Sequence, residues 1–132
     1  MNLLKLVSFL LATFFCCTTQ SAYAQNNKNA GDNLKPYFFV LLKKGPNRSQ
    51  DSVTAAKIQK AHMENINRMA ASGKLNVAGP FLDEGEMRGI FIFDSGNEDE
   101  VRKLVENDPA VKAGRLTYEI HPWMTEKGTC FK

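Results

Sequence analysis

Two segments of this chain are apolar at nearly every position, and they constrain its fold more than any other feature. Residues 37–43 read YFFVLLK, and residues 87–93 read MRGIFIF. Successive side chains of a β-strand point to opposite faces, so an uninterrupted apolar run is typical of a strand that is buried on both faces. We therefore expect both strands to lie within a sheet whose two faces are covered.

Helical and strand patterns alternate around these segments. The predicted elements are strands at 37–43, 74–78, 87–93 and 116–121, and helices at about 53–72 and from the cap at 97 to about 107. Gly73 ends the first helix, and Pro109 cannot continue the second. The order β-α-β-β-α-β is that of a ferredoxin-like split βαβ unit. It predicts an α+β sandwich in which two helices cover one face of a four-stranded sheet.

The other face of this predicted sheet is apolar as well. A monomer would expose Phe and Ile side chains over roughly several hundred Å², which is more than soluble monomers usually tolerate. A symmetric homodimer whose sheets face each other is the simplest way to cover them. The alternative is an apolar face that stays partly solvated.

Residues 1–24 have the pattern of a secretory signal peptide. Lys5 precedes a nearly continuous apolar run that is too short to span a bilayer, and Ala22 and Ala24 supply the small residues of a cleavage site. We expect an exported protein, periplasmic or secreted, with no membrane attachment after cleavage. Lipidation at Cys16 is the alternative, although Phe rather than a small residue precedes it.

Cleavage would leave one domain with polar ends. Residues 25–35 are Asn-rich and form a flexible leader, residues 36–124 form the domain, and residues 125–132 form a C-terminal tail. Cys130 would then be the last cysteine, so it is either a free thiol on the tail or a link between two chains.

Composition and motifs exclude several classes of function. The formal net charge is only +3, and no basic block interleaved with aromatic residues occurs, which argues against nucleic-acid binding. No HxH, CxxC or HExxH spacing is present, and neither a P-loop nor a dinucleotide fingerprint occurs. We therefore predict no metal and no cofactor.

His62 is the strongest candidate for a site residue. Steps of three and four residues place it on the inward face of the first helix with Ile58, Ile66 and Met69. An imidazole on that face is either a buried structural residue or the reactive group of a pocket. Histidine has an ordinary pKa of about 6.5, so it is suited to acid or base chemistry near neutrality.

Three segments of the chain resemble the YciI-like family, also called the YCII-related or DGPF family. They read AHMENINRMAASGKL, VAGPFLDEGEMRGIFIF and VENDPAVKAGRLTYEIHPW. The resemblance implies a ferredoxin-like unit that pairs as a dimeric α+β barrel, with a His–Asp pair in a cleft. Relatives in this group include dehydrochlorinase-type and muconolactone-isomerase-like proteins. Typical members lack an export signal, so the signal seen here argues against an intracellular catabolic role.

The resemblance assigns catalytic roles to three residues. It implies that His62 is the acid or base and that Asp108, before Pro109, is the carboxylate that orients it. Asp108 could also be only a helix-ending residue in an Asp-Pro turn. Asp83 is the rival partner for the histidine, or a turn residue beside Gly85.

Four further residues are predicted to bind the substrate. Gly79, Pro80 and Phe81 shape a pocket wall, or form only the tight connection out of the second strand. Arg88 could receive a carboxylate or phenolate with its planar guanidinium, or meet solvent at a strand edge. His121 is either a packing residue at the end of the barrel or a second catalytic imidazole.

These residues predict a cofactor-free lyase, isomerase or elimination catalyst for a small aromatic or unsaturated acid. His62 would move the proton. The alternative is a non-catalytic module that binds or senses a small ligand between apolar walls such as Phe39, Phe81 and Phe91. Both functions suit the same fold, so the fold alone does not decide between them.

Overall fold

The computed structural model describes residues 33–129. Its elements are β1 (Leu34–Lys44), α1 (Ser52–Ala71), β2 (Leu75–Pro80), β3 (Met87–Phe93), α2 (Glu98–Glu106), α3 (Pro109–Lys112) and β4 (Leu116–Glu126). The predicted signal peptide (1–24), most of the predicted leader and Cys130 lie outside the described residues.

The four strands form one antiparallel sheet in the order β2-β3-β1-β4. The two apolar segments are its central strands, and they pair with Val40 opposite Phe91 and Phe39 opposite Ile92. Each central strand is paired on both sides, and its side chains are buried on the helix-covered face and half-buried on the other face. The predicted α+β class is confirmed.

The core lies between the helices and one face of this sheet. The buried apolar side chains that form it are Val40, Leu42, Met69, Leu75, Phe91, Phe93, Val101 and Val105. The rings of Phe91 and Phe93 meet edge to face with their centroids 5.9 Å apart, a geometry that aromatic pairs favour. The intervening strand residues, such as Phe39, Leu41 and Ile92, point to the face without helices and are half-buried.

Helix α1 presents three buried side chains to the sheet, and they are His62, Asn65 and Met69. Their spacing of three and four residues follows the pitch of an α-helix. Asp51 caps the first turn by accepting a hydrogen bond from the backbone N–H of Thr54 at 2.9 Å. Within residues 33–129, no helix combines the length and the apolar character required to cross a membrane.

The first and last strands of the chain are longer than predicted. β1 begins at Leu34 rather than Tyr37, and β4 continues to Glu126 rather than ending at His121. Two residues of the predicted leader and two of the predicted tail therefore belong to the sheet. The reason is that β1 and β4 pair with each other to their ends, where Leu34 lies opposite Glu126. These ends mix apolar and polar residues and contain Pro36 and Pro122, so local patterning did not extend the strands through them.

A one-turn helix, α3, was not predicted. Pro109 does end α2, as expected, but it also opens α3, where a fixed φ and a missing N–H are tolerated at the first position. Asp108 caps α3 by accepting a hydrogen bond from the backbone N–H of Ala110 at 2.9 Å.

A second difference is that β2 includes Gly79 and Pro80, because an edge strand tolerates proline.

Candidate functional site

A cleft of about 310 Å³ lies between α1 and the sheet. Its apolar wall includes Leu42, Ile66 and Phe91, and His62 is among its polar lining residues. A second, more open depression lies on α1, and its charged lining residues are two lysines, Lys57 and Lys60, with no histidine or carboxylate beside them. The cleft that contains the histidine is therefore the candidate site.

His62 and Asp108 form a buried hydrogen-bonded pair. The Nδ1 atom of His62 lies 2.8 Å from Oδ1 and 2.9 Å from Oδ2 of Asp108. The aspartate is 0% exposed, and the histidine is 8% exposed. An ionised carboxylate only accepts hydrogen bonds, so Nδ1 carries the proton that is donated to Asp108. In the neutral ring, this arrangement leaves a lone pair on Nε2.

The ionised state of Asp108 is itself supported by its neighbours. Burial alone would raise the pKa of this carboxyl, but hydrogen bonds from His62 and Asn65 outweigh that effect and hold the pKa below its ordinary value. The Nδ2 atom of Asn65 donates to Oδ2 at 2.8 Å, and the N–H of Ala110 donates to Oδ1 at 2.9 Å. The carboxylate is thus charged at neutral pH and held in one orientation.

Asn65 belongs to this site, although the sequence analysis did not identify it. Its Oδ1 atom accepts a hydrogen bond of 2.6 Å from Nη2 of Arg68. Because a guanidinium only donates, this contact fixes the amide so that its NH₂ group faces Asp108. A signal was present, since Asn65 lies three residues after His62 and is a polar residue on the inward face of the same helix.

The second ring nitrogen of His62 faces the cleft. The ring is stacked on Phe91, with centroids 6.2 Å apart and planes inclined by 28°. Among the described residues, no group forms a hydrogen bond with Nε2, and no buried side-chain nitrogen or oxygen lacks a partner. Nε2 therefore keeps access to solvent through the cleft that its residue lines, and a bound molecule can reach it.

Three of the four predicted substrate-binding residues line this cleft, and they are Gly79, Pro80 and Arg88. Arg88 lies where the pairing of β1 with β3 shifts by one residue. Such β-bulges often redirect side chains beside functional sites. Phe81 is exposed and is not among the lining residues, so its assignment to the pocket wall requires correction.

Asp83 does not partner His62. It is exposed in the β2–β3 loop and lies outside the cleft lining, with its carboxylate beside Gly85 of the same loop. No residue between Phe81 and Glu86 lines the cleft, so Asp83 is placed as a turn residue. His121 is also exposed and lies on the sheet face without helices, where its Nε2 is 3.7 Å from Oε2 of Glu119.

The charged lining of the cleft is entirely basic. Arg48, Arg88 and Arg115 line it together with His62, and no Asp or Glu does. The sequence analysis identified only Arg88 among the three arginines. Within residues 33–129, no group of three or more His, Cys, Asp or Glu side chains is placed to hold a metal ion.

Comparison with known proteins identifies a family and several similar structures. Residues 37–124 match the YCII-related domain family. The 5-chloro-2-hydroxyhydroquinone dehydrochlorinase (TftG) from Burkholderia phenoliruptrix AC1100, solved in complex with 2,5-dihydroxybenzoquinone, aligns with a TM-score of 0.51 and 29% sequence identity, over 66% of this chain and 92% of that protein. Muconolactone isomerase aligns with a TM-score of 0.56 and 11% identity, over 73% and 96% of the two chains, and this likeness concerns the fold alone. No curated protein matches by sequence.

Proposed function

The chain belongs to the YCII-related domain family, and from this membership and the geometry of the cleft we propose that it is a cofactor-free enzyme of the lyase or isomerase type. The observation that carries the proposal is the bond between Nδ1 of His62 and Asp108, which leaves Nε2 directed at a cleft of about 310 Å³. A base that is held in one tautomer beside a small pocket is suited to proton transfer.

In the proposed mechanism, Nε2 of His62 takes a proton from a carbon or hydroxyl group of the substrate. The imidazolium that forms is stabilised by the carboxylate of Asp108, which accepts from Nδ1 throughout. In an isomerisation, the same proton returns to a different carbon. In an elimination, the electron pair of the broken bond forms a double bond, and the leaving group departs from the neighbouring carbon as an anion.

The dehydrochlorinase likeness supports the elimination branch of this mechanism. That protein is 29% identical in sequence, and its name describes the removal of hydrogen chloride from a chlorinated hydroxyhydroquinone. Hydroxylated, ring-shaped compounds of this kind are therefore the first substrates to examine for this chain.

The test measures chloride release from 5-chloro-2-hydroxyhydroquinone and proton–deuterium exchange on its dechlorinated analogue. We expect the His62→Gln variant to lose about 10²- to 10⁴-fold in rate, the usual contribution of a positioned proton-transfer group. Arg102→Gln is the control, because that arginine is exposed on α2 and lies outside the cleft and away from the proposed dimer face. Wild-type turnover by His62→Gln would refute the mechanism. Binding of these compounds without turnover by the wild type would instead favour the ligand-binding alternative.

We also propose that the protein forms a homodimer through the sheet face without helices, in the manner of a dimeric α+β barrel. Support comes from the half-buried apolar residues on that face, which include Phe39, Leu41 and Ile92. The strand order β2-β3-β1-β4 is consistent with a ferredoxin-like arrangement of each subunit. Export through the signal peptide at 1–24 remains a proposal that rests on the sequence pattern.

A further inference from the structure

Two loops meet at one end of the cleft and are joined by their backbones. The loop between β1 and α1 contributes Gly45 and Asn47, whose N–H groups donate to the carbonyls of Arg115 and Gly114, both at 2.9 Å. The approach is so close that a Cβ atom on Gly45 would lie 2.1 Å from the carbonyl oxygen of Gly114. Only glycine fits there, so the two loops form one rigid unit.

This unit holds two arginines in place. Nη1 of Arg48 donates to the carbonyl of Arg115 at 3.1 Å. Nη1 of Arg115 donates to Oε1 of Gln50 at 2.8 Å, and Nε2 of Gln50 donates to the carbonyl of Ala113 at 3.3 Å. A guanidinium has five N–H donors, so each arginine keeps most of its donors available after these contacts.

The positive charge of these arginines is not balanced within the site. In the part of the chain that the structure describes, neither Arg48 nor Arg115 forms an ion pair with a carboxylate. Both line the cleft, and the lining contains no acidic residue. The negative charge of Asp108 lies behind the ring of His62, to which it is bonded. The cleft therefore presents a net positive field, which apolar walls strengthen.

We propose that the cleft binds a small organic anion and that Arg48 and Arg115 receive its carboxylate or ionised hydroxyl group. This inference rests on the proposed function and assigns its substrate class. A volume of about 310 Å³ lies at the lower end of the range for ligand pockets, so it suits a single ring or a short unsaturated chain. The planar guanidinium groups of the arginines match the two oxygens of a carboxylate, and each can also donate to the single oxygen of an ionised hydroxyl group.

The anion site and the catalytic pair are connected through one residue. The N–H of Ala110 donates to Oδ1 of Asp108, and its carbonyl accepts a hydrogen bond of 2.9 Å from the N–H of Arg115. Helix α3 therefore sets the position of both groups. When Nε2 of His62 removes a proton, the electron pair moves onto an oxygen of the substrate, and the fixed guanidinium groups stabilise the resulting charge.

The experiment compares the binding of two ring compounds by isothermal titration calorimetry. 2,5-Dihydroxybenzoquinone has two acidic hydroxyl groups, and 2,5-dimethoxybenzoquinone is the same ring without an acidic proton. We expect the wild type to bind the dihydroxy compound at least about 10-fold more tightly. Arg48→Gln and Arg115→Gln should each lose about 10- to 100-fold for that compound alone, the range for hydrogen bonds to charged groups. Arg102→Gln, which removes an exposed arginine outside the cleft, should bind like the wild type.

The possible outcomes separate this inference from the proposed catalysis. His62→Gln should retain the preference for the anion while losing turnover. If no substrate is turned over but the arginine variants still lose anion affinity, the inference stands and the proposed catalysis fails. Arg48→Gln removes an exposed group with one backbone contact, so it keeps the test valid if Arg115→Gln does not fold. Wild-type anion affinity in Arg48→Gln, or failure of the wild type to prefer the dihydroxy compound, would overturn the inference.

Discussion

Replacing Asp108 by asparagine tests the hydrogen-bond network more sharply than any other substitution. The carboxylate oxygens accept from three donors, which are Nδ1 of His62, Nδ2 of Asn65 and the N–H of Ala110. An asparagine side chain keeps one oxygen and replaces the other with an NH₂ group, which donates. One of the two oxygen positions must therefore become a donor that faces another donor.

Neither orientation of the new amide resolves this conflict. If its nitrogen takes the place of Oδ2, it faces the NH₂ group of Asn65, which cannot reverse because Arg68 occupies the Oδ1 atom of Asn65. If its nitrogen takes the place of Oδ1, it faces the N–H of Ala110. At a fully buried position, one unsatisfied polar group costs about 1–3 kcal/mol of folding free energy. For a domain of this size, each lost kcal/mol lowers Tm by about 4–8 °C.

The new amide also affects the tautomer of His62. An NH₂ group beside Nδ1 favours the ring form with the proton on Nε2, which removes the lone pair that would accept the substrate proton. We expect a loss of about 10²- to 10⁴-fold in kcat. Urea unfolding monitored by circular dichroism measures the stability, and the chloride-release assay measures the rate. Asp83→Asn is the matched control, because that aspartate is exposed outside the cleft and should change neither quantity.

The pH dependence gives a second readout for the same variant. Hydrogen bonds lower the pKa of Asp108 in the folded protein, so its contribution to stability is present above the ordinary carboxyl pKa of about 3.9 and is lost as the pH falls through the lower folded value. The stability difference between wild type and Asp108→Asn should therefore be constant near neutrality and shrink in acid. A difference that grows with acidity, or an Asp83→Asn variant that loses more activity than Asp108→Asn, would refute the reasoning.

Three further predictions concern packing, assembly and export. Gly45→Ala should lower the free energy of urea unfolding by about 1–3 kcal/mol, because its Cβ would lie 2.1 Å from a backbone oxygen, whereas Gly96→Ala meets open space and should be close to neutral. Ile92→Glu places a charge on the sheet face without helices and should convert the proposed dimer into monomers in sedimentation experiments, while Asn76→Glu, which replaces an exposed polar residue, should not. Intact mass of the protein recovered from the exported fraction should correspond to cleavage after Ala24, and recovery of the uncleaved chain alone would contradict the signal-peptide assignment.

Local sequence patterns were sufficient for the framework of the fold. The run MRGIFIF predicted β3 with its observed bounds, and the three-and-four spacing around His62 predicted the inward face of α1. These signals succeed because the period of a helix or a strand is visible within a short stretch of consecutive residues. The family resemblance, carried by three longer segments, is confirmed by the match over residues 37–124.

The parts of the site that were missed depend on contacts between distant segments. Arg48 and the Arg115 carbonyl that it contacts are 67 residues apart in the chain, and no local pattern indicates that they meet. Both lie in loops, where polar residues are expected and carry no periodic signal. Conversely, Asp83 and Phe81 lay in a segment that resembles the family, but the conformation of the β2–β3 loop leaves them exposed outside the cleft.

The short helix α3 positions groups on both sides of the site. It is one turn long, yet Asp108 caps it and Arg115 donates its backbone N–H to it, so the group that orients the base and a group that receives the anion are both attached to it. Pro109 favours this turn, because proline is preorganised for the first helical position. A change in α3 should therefore move both groups together, whereas a change in the β1–α1 loop should affect anion binding through Arg48 and leave the His62–Asp108 bond intact. Substitutions in the β1–α1 loop should thus weaken substrate binding without altering the base chemistry, whereas substitutions in α3 should alter both.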